Sequence, residues 1–159
     1  MWRPLLFILI LAALPLSAAG DWSGRVIAVG DGDTIEVMRG RAAVRVRLHG
    51  VDCPELGQAF GRRARQRTAE LAMGREVRVA VVERDRFGRV VAEVFLPGGE
   101  SLNRTLVAEG LAWWYRDYAP RDVELRLLEE KAREARRGLW ADARPAPPWI
   151  WRRNRNARK

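Results

Sequence analysis

The part of the chain after residue 20 begins with short stretches in which apolar and polar residues alternate. The clearest alternation lies in residues 42–51, where Val44, Val46 and Leu48 are separated by arginines, as is typical of a strand with one buried face. Comparable β-rich stretches cover residues 22–38, 75–82 and 90–96. Turn residues separate them, so the pattern predicts about five short strands arranged as a meander.

Three further segments have helical composition or spacing: residues 58–73, 101–109 and 122–137. Each is followed directly by a glycine, which commonly ends a helix, and Ser101 can cap the start of the second one. Five short strands and three helices in about 120 residues indicate an α+β fold. We therefore predict a five-stranded OB-type β-barrel with three packed helices.

The first 19 residues have the pattern of a secretory signal peptide. Arg3 precedes an apolar run over residues 5–14, and small residues stand at positions 17 and 19, so cleavage is expected at Ala19–Gly20. The run is shorter than the ~20 residues that span a bilayer, which makes an uncleaved N-terminal anchor the less favoured alternative. We therefore expect a secreted or periplasmic protein without a membrane span in the mature chain.

The mature chain is expected to form one domain over residues 20–142, followed by an arm over residues 143–159. That arm is rich in proline and then basic, which predicts an irregular or partly disordered tail.

Cys53 is the only cysteine, so an intramolecular disulfide and a four-cysteine zinc site are both excluded. We expect a monomer with no stable protein partner.

The charge balance is strongly basic. The formal net charge is +9, and all but two of the 29 basic residues are arginines. Such a balance favours a polyanionic partner, either a nucleic acid or an acidic surface.

Two acids interrupt this basic chain at the bend in VGDGDTIEV. Asp31 and Asp33 flank Gly32, and an Asp-Gly pair is common in turns for reasons of backbone geometry alone. The alternative is that the acids hold a cation. An EF-hand is excluded, because Ile35 and Glu36 stand where that loop needs an oxygen ligand and a glycine.

Four motifs follow one another along the chain: DGDT (31–34), RLHGVDCPE (47–55), DRFGR (85–89) and RRGLWA (136–141). Their order and separations resemble the staphylococcal nuclease family from Val26 to about Trp151. The resemblance implies an OB-type barrel with three helices. It also implies a Ca²⁺-dependent nuclease that hydrolyses DNA and RNA with low sequence preference and leaves 3′-phosphate ends.

The resemblance assigns the metal site to acids of the first two motifs. It implies that Asp33 and Asp52 are direct Ca²⁺ ligands, together with the backbone carbonyl of Cys53, and hard oxygen donors of this kind suit Ca²⁺. Asp31 and Thr34 would orient these ligands.

The resemblance also assigns catalytic roles. It implies that Arg47 and Arg89 clamp the phosphate, because a guanidinium makes paired charge-assisted hydrogen bonds, and that Glu55 is the general base for the attacking water. Each of these residues has a plainer alternative. Arg47 would be a solvated strand arginine, Arg89 a charge at a hairpin tip, and Glu55 an acid in the first turn of a helix. Tyr115 and Tyr118 are candidates for stacking on a base.

The chain departs from the family pattern at two positions. Cys53 replaces a threonine, and Phe87 stands where the best-studied members have a tyrosine. None of the principal catalytic positions is lost. The alternatives to an enzyme are a non-catalytic nucleic-acid-binding OB-fold module and a scaffold for the basic tail.

Overall fold

The structure, a computed structural model, describes residues 20–157. The predicted signal peptide lies outside the described residues. The strands are β1 (Trp22–Val29), β2 (Thr34–Arg39), β3 (Ala42–Leu48), β4 (Val51–Asp52), β5 (Glu76–Arg84), β6 (Val90–Phe95) and β7 (Trp113–Trp114). The helices are α1 (Gly61–Ala72), α2 (Leu102–Ala108), α3 (Val123–Glu134) and α4 (Pro148–Asn156), with a 3₁₀ turn at Gly138–Ala141.

Five strands close into a barrel in the order β1-β2-β3-β6-β5. All neighbours are antiparallel except β3 and β6, which run parallel with Arg47 opposite Val91. Apolar residues that alternate along the strands fill the interior, and Ile35, Val46 and Val79 are fully buried. The predicted α+β fold with a five-stranded OB-type barrel is confirmed.

The alternation in residues 42–51 continues past the end of the strand that it predicts. β3 stops at Leu48, and the chain turns at Gly50, which has a φ of +70°. Such a φ strains a residue with a Cβ, and a Cβ there would also lie 2.9 Å from the side chain of Leu125. The turn lets Val51 and Asp52 leave the barrel and pair with β7, which places Asp52 beside the barrel rather than within it.

The three predicted helices form close to their expected bounds. Ser101 Oγ accepts a 3.2 Å hydrogen bond from Arg104 N at the start of α2, and Asp122 caps α3 in the same way. Thr68 lies on the buried face of α1, and its hydroxyl donates a 2.6 Å hydrogen bond to the carbonyl of Gly32. This contact fixes the acidic bend between β1 and β2 against the helix.

The prediction of an irregular tail is wrong over Pro148–Asn156, which form α4. Proline suits the first turn of a helix, because that turn needs no N–H from it. The indole of Trp149 packs edge-on against Trp113, with ring centres 5.6 Å apart, and Gln58 Nε2 donates to the carbonyl of Ala146. Tertiary packing thus orders a segment whose composition alone indicates disorder.

Among residues 20–157, no helix combines the length and apolar character that crossing a bilayer requires.

Candidate active site

The first three motifs meet in one cleft of about 880 Å³ beside the barrel. Asp33 follows the bend after β1, Arg47 lies on β3, Asp52 on β4, and the DRFGR motif forms the turn between β5 and β6. The cleft is lined by every residue that the sequence predicted for the site: Asp31, Asp33, Thr34, Arg47, Asp52, Cys53, Glu55, Arg89, Tyr115 and Tyr118.

Arg47 bridges the two acids that were predicted to bind the cation. Its Nη1 lies 3.2 Å from Oδ1 of Asp33, and its Nη2 lies 3.0 Å from Oδ1 of Asp52. Nη1 also donates to the carbonyls of Leu48 and Val51, at 3.1 and 2.9 Å. The side chain is only 14% exposed, so Arg47 is not a solvated strand arginine.

The carboxylate of Asp33 is held by its neighbours in both motifs. Cys53 N donates a 2.6 Å hydrogen bond to its Oδ2, and the hydroxyl of Thr34 donates to its Oδ1 at 3.3 Å. Asp31 Oδ1 accepts a hydrogen bond from Asp33 N at 3.1 Å, which is the ordinary turn contact of such a residue. Asp31 therefore shapes the bend, and Asp33 points into the site.

The site carries buried negative charge that its own cations compensate only in part. Burial, the largest cause, and the neighbouring Asp31 and Asp52 together raise the pKa of Asp33 to about 7, against the opposing effects of Arg47 and the Cys53 N–H. Burial lowers the pKa of Arg47, but Asp33 and Asp52 outweigh that effect and raise it overall. An added cation would relieve the cost of ionising Asp33.

The residues fit a hard cation such as Ca²⁺. Asp33 and Asp52 offer carboxylate oxygens to the same space, since one guanidinium touches both. Within residues 20–157, no three acidic, histidine or cysteine side chains cluster closely enough to hold a metal by themselves. A metal site here therefore needs a backbone oxygen and water as well as the two carboxylates. The expected ligand set meets the first need with the backbone carbonyl of Cys53.

The thiol of Cys53 packs into the core. The side chain is 4% exposed and belongs to the main hydrophobic core. A Cβ placed on Gly32 would lie 2.7 Å from Cys53 Sγ, which shows that the thiol packs against the acidic bend. Burial raises the pKa of the Cys53 thiol, so a reactive thiolate is disfavoured.

Arg89 reaches the same cleft from the turn between β5 and β6. Its Nε donates a 2.7 Å hydrogen bond to Oδ2 of Asp85, while Oδ1 of Asp85 accepts from the backbone of Phe87 and Arg89. Asp85 thus forms the turn and also orients Arg89. The ring of Phe87 is 69% exposed at the edge of the cleft.

A residue that the sequence reasoning missed, Arg152 on α4, lies at the centre of the site. Its Nη2 donates to Oδ2 of Asp52 at 2.8 Å, and its Nη1 donates to Oδ1 of Asp52 at 3.2 Å and to Oε1 of Glu55 at 2.9 Å. Burial lowers the pKa of Arg152, but the hydrogen bonds to both carboxylates outweigh it and raise that pKa overall. The aromatic residues among the prolines were the signal that this tail packs on the domain.

The two tyrosines predicted to stack on a base differ in exposure. Tyr115 is itself stacked on Trp149 of α4, with ring planes 2° apart and centres 5.2 Å apart. Tyr118 packs against Tyr115 at 4.7 Å and is 60% exposed. Tyr118 therefore presents more free ring surface to a ligand.

Two buried polar residues that the sequence analysis did not single out support the site. Asn103 on α2 donates to the carbonyls of His49 and Ala92, at 2.9 and 3.1 Å, which ties the turn before β4 to β6. Glu129 on α3 accepts a 2.8 Å hydrogen bond from Trp114 N and so holds β7, the partner of β4. In each helix the polar residue stands at a position of the otherwise apolar, buried face, and this pattern could have identified both residues from the sequence.

The fold and the site together define an OB-type barrel protein with a cleft in which buried acids meet arginines. The family of staphylococcal nuclease homologues matches residues 45–142, and the chain belongs to that family. An "Uncharacterized endonuclease" of Escherichia coli is 45% identical over 145 residues, which cover 91% of this chain and 94% of the relative.

Two further relatives agree with this assignment. A "Micrococcal nuclease" of Shigella flexneri is 43% identical over 155 residues, covering 92% of this chain and 88% of the relative. An "Uncharacterized endonuclease" of Haemophilus influenzae is 35% identical over 147 residues, covering 92% and 82%. The family and these relatives support a nuclease, and hence a hydrolase, function.

Proposed function

We propose that this protein is an exported, Ca²⁺-dependent nuclease that hydrolyses phosphodiester bonds of DNA and RNA with low sequence preference. The observation that carries the proposal is the bridge from Arg47 to Asp33 and Asp52 in a cleft that Glu55 and Arg89 also line. Acids for a cation, arginines for a phosphate and a carboxylate for water are thereby brought into one cleft.

Asp33 and Asp52, with the backbone carbonyl of Cys53, would hold the cation. Bound Ca²⁺ would supply positive charge to the phosphate oxygens, where negative charge grows as the nucleophile attacks. Asp31 keeps the bend in place, and the Thr34 hydroxyl keeps the Asp33 carboxylate oriented.

The remaining steps fall to side chains of the cleft. Arg47 and Arg89 bind the non-bridging phosphate oxygens, and Glu55 accepts a proton from the attacking water. The water oxygen bonds to phosphorus and the bond from phosphorus to the 5′ oxygen breaks. The products are a 3′-phosphate and a 5′-hydroxyl, whose proton comes from solvent. These contacts involve no base edge, so low sequence preference follows.

The test is cleavage of end-labelled single-stranded DNA, and of RNA of the same sequence, by the purified protein. We expect cleavage with millimolar Ca²⁺ and none with excess chelator. The products should carry a 3′-phosphate that a phosphatase removes. Glu55→Gln should slow cleavage by about 10²–10⁴-fold, and Asp33→Ala should abolish it. Glu83→Gln is the matched control, because Glu83 is an exposed acid that lines the same cleft.

Binding of the strand without cleavage under any cation would contradict the enzyme proposal and support the non-catalytic module. Export is tested separately, by expressing the full chain in a Gram-negative host and measuring the mass of the periplasmic product. Cleavage at Ala19–Gly20 is expected, and a full-length mass in the membrane fraction would indicate an anchor instead.

A further inference from the structure

Two arginines, Arg47 on β3 and Arg152 on α4, hold the same carboxylate. Oδ1 of Asp52 accepts from Arg47 at 3.0 Å and from Arg152 at 3.2 Å, and its Oδ2 accepts from Arg152 at 2.8 Å. Arg152 also holds Oε1 of Glu55 at 2.9 Å. Both oxygens of Asp52 are thus engaged by guanidinium groups, and Asp52 is only 1% exposed.

The two arginines are not held equally firmly. Arg47 is fixed by two backbone carbonyls as well as by the acids, and its side chain is 14% exposed. The hydrogen bonds of Arg152 go to the two carboxylates, and its side chain is 34% exposed. Arg152 is therefore the guanidinium that can leave without stranding a backbone group.

The packing of α4 on the domain positions Arg152 beside Asp52 and Glu55. Trp149, one turn earlier on α4, stacks on Tyr115 and packs edge-on against Trp113. The preceding segment is tied down by the hydrogen bond from Gln58 to Ala146. These contacts present Arg152 to the site from a defined direction.

A divalent cation on Asp52 and this guanidinium compete for the same oxygens. A cation would have to take an oxygen that Arg152 now holds, and like charges a few ångströms apart repel strongly when they are shielded from water. Glu55, the proposed general base, is also held by Arg152, so this guanidinium occupies one of the positions at Oε1 through which a water could be oriented.

We propose that Arg152 is an internal counter-cation that closes the site in the absence of metal, and that Ca²⁺ must displace it from Asp52 and Glu55. The inference rests on the proposed function, because it concerns the same cation site. It assigns α4 a regulatory role: the arginine sets the Ca²⁺ concentration at which the site opens and frees Glu55.

The test is a calorimetric titration of the purified protein with Ca²⁺, compared with the variants R152Q, R152K and R153Q. R152Q should bind Ca²⁺ with a Kd about tenfold lower, the size of a typical coupling between two binding events. R153Q, which removes an exposed charge from the next residue, should bind as the parent protein does. R152K keeps the charge but loses the planar fork, so its Kd should fall between the two.

Each outcome decides the matter. An equal or higher Kd for R152Q would overturn the inference, while measurable binding would leave the proposed calcium site standing. No binding to any folded variant would overturn both the inference and the calcium dependence. Should R152Q fail to fold by circular dichroism, R152K decides: a lower Kd supports competition, and an unchanged Kd contradicts it.

Discussion

The backbone N–H of Cys53 donates a 2.6 Å hydrogen bond to Oδ2 of Asp33, although the two residues lie 20 positions apart. This bond joins the bend after β1 to the end of β4, and so sets Asp33 beside Asp52. The approach is possible because Gly32 has no side chain: a Cβ there would lie 2.7 Å from Cys53 and 2.8 Å from Ala64. The packing at this bend therefore requires glycine at position 32.

Gly32→Ala should displace the acidic bend from Cys53 and α1. We expect a loss of about 1–3 kcal/mol of stability from overpacking, and a larger loss of cleavage because Asp33 moves away from Asp52. Urea unfolding and the cleavage assay would measure the two effects. Gly30→Ala is the control in the same bend, where a Cβ meets only ordinary contacts of 3.5 Å or more. Equal effects of both substitutions would contradict this account.

Cys53→Ala should leave cleavage within a few-fold of the parent rate. The thiol is buried in the core, and only the backbone of Cys53 faces the site through its N–H and its proposed carbonyl ligand. A stability loss of about 1 kcal/mol is expected from the lost packing. A variant that is folded but inactive would show that the sulfur itself acts in the site.

The barrel and three helices could be predicted from the sequence because their signals are local. Val44, Val46 and Leu48 alternate because β3 has one buried face, and Ser101 stands where α2 needs an acceptor. The break at Gly50 was missed because the alternation runs through it. Gly50 lies too close to Leu125 for a side chain there, a relationship across 75 positions that no local pattern contains.

The site could be predicted in part, for a related reason. Three motifs carry Asp33, Asp52 and Arg89, and the structure places them in one cleft as the resemblance implied. Arg152 belongs to no motif and joins Asp52 across 100 positions. Composition indicated a disordered tail there, and the stacking of Trp149 on Tyr115 outweighs that preference.

Asn103→Ala should destabilise the protein more than the loss of one side chain would suggest. Asn103 is 1% exposed and bonds the carbonyls of His49 and Ala92 and the N–H of Val94, so alanine removes a partner from each. The Ala92 carbonyl keeps the bond from His49 N, so the cost falls mainly on the other two groups. At about 1–3 kcal/mol for each such group, we expect at least about 2 kcal/mol in urea unfolding. Asn154→Ala, at an exposed position of α4, is the control and should change little. A loss below about 0.5 kcal/mol in N103A would mean that water replaces these bonds.

The buried carboxyl of Asp33 should make the metal-free protein less stable as the pH rises. Its pKa is about 7 in the fold against an ordinary value of 3.8, chiefly because of burial. Between these two values the native state holds a proton that the unfolded chain has lost, so stability falls with rising pH by up to about 1.4 kcal/mol per pH unit. The cost is absent below about pH 4 and fully present above about pH 7.

Asp33→Asn cannot ionise, so in chelator its stability relative to the parent should improve by a few kcal/mol across this window and then level off. Urea unfolding of both proteins from pH 4.5 to 8, with Glu36→Gln on the adjoining strand β2 as control, measures the difference. A difference that does not vary with pH would show that Asp33 stays ionised throughout, held so by Arg47.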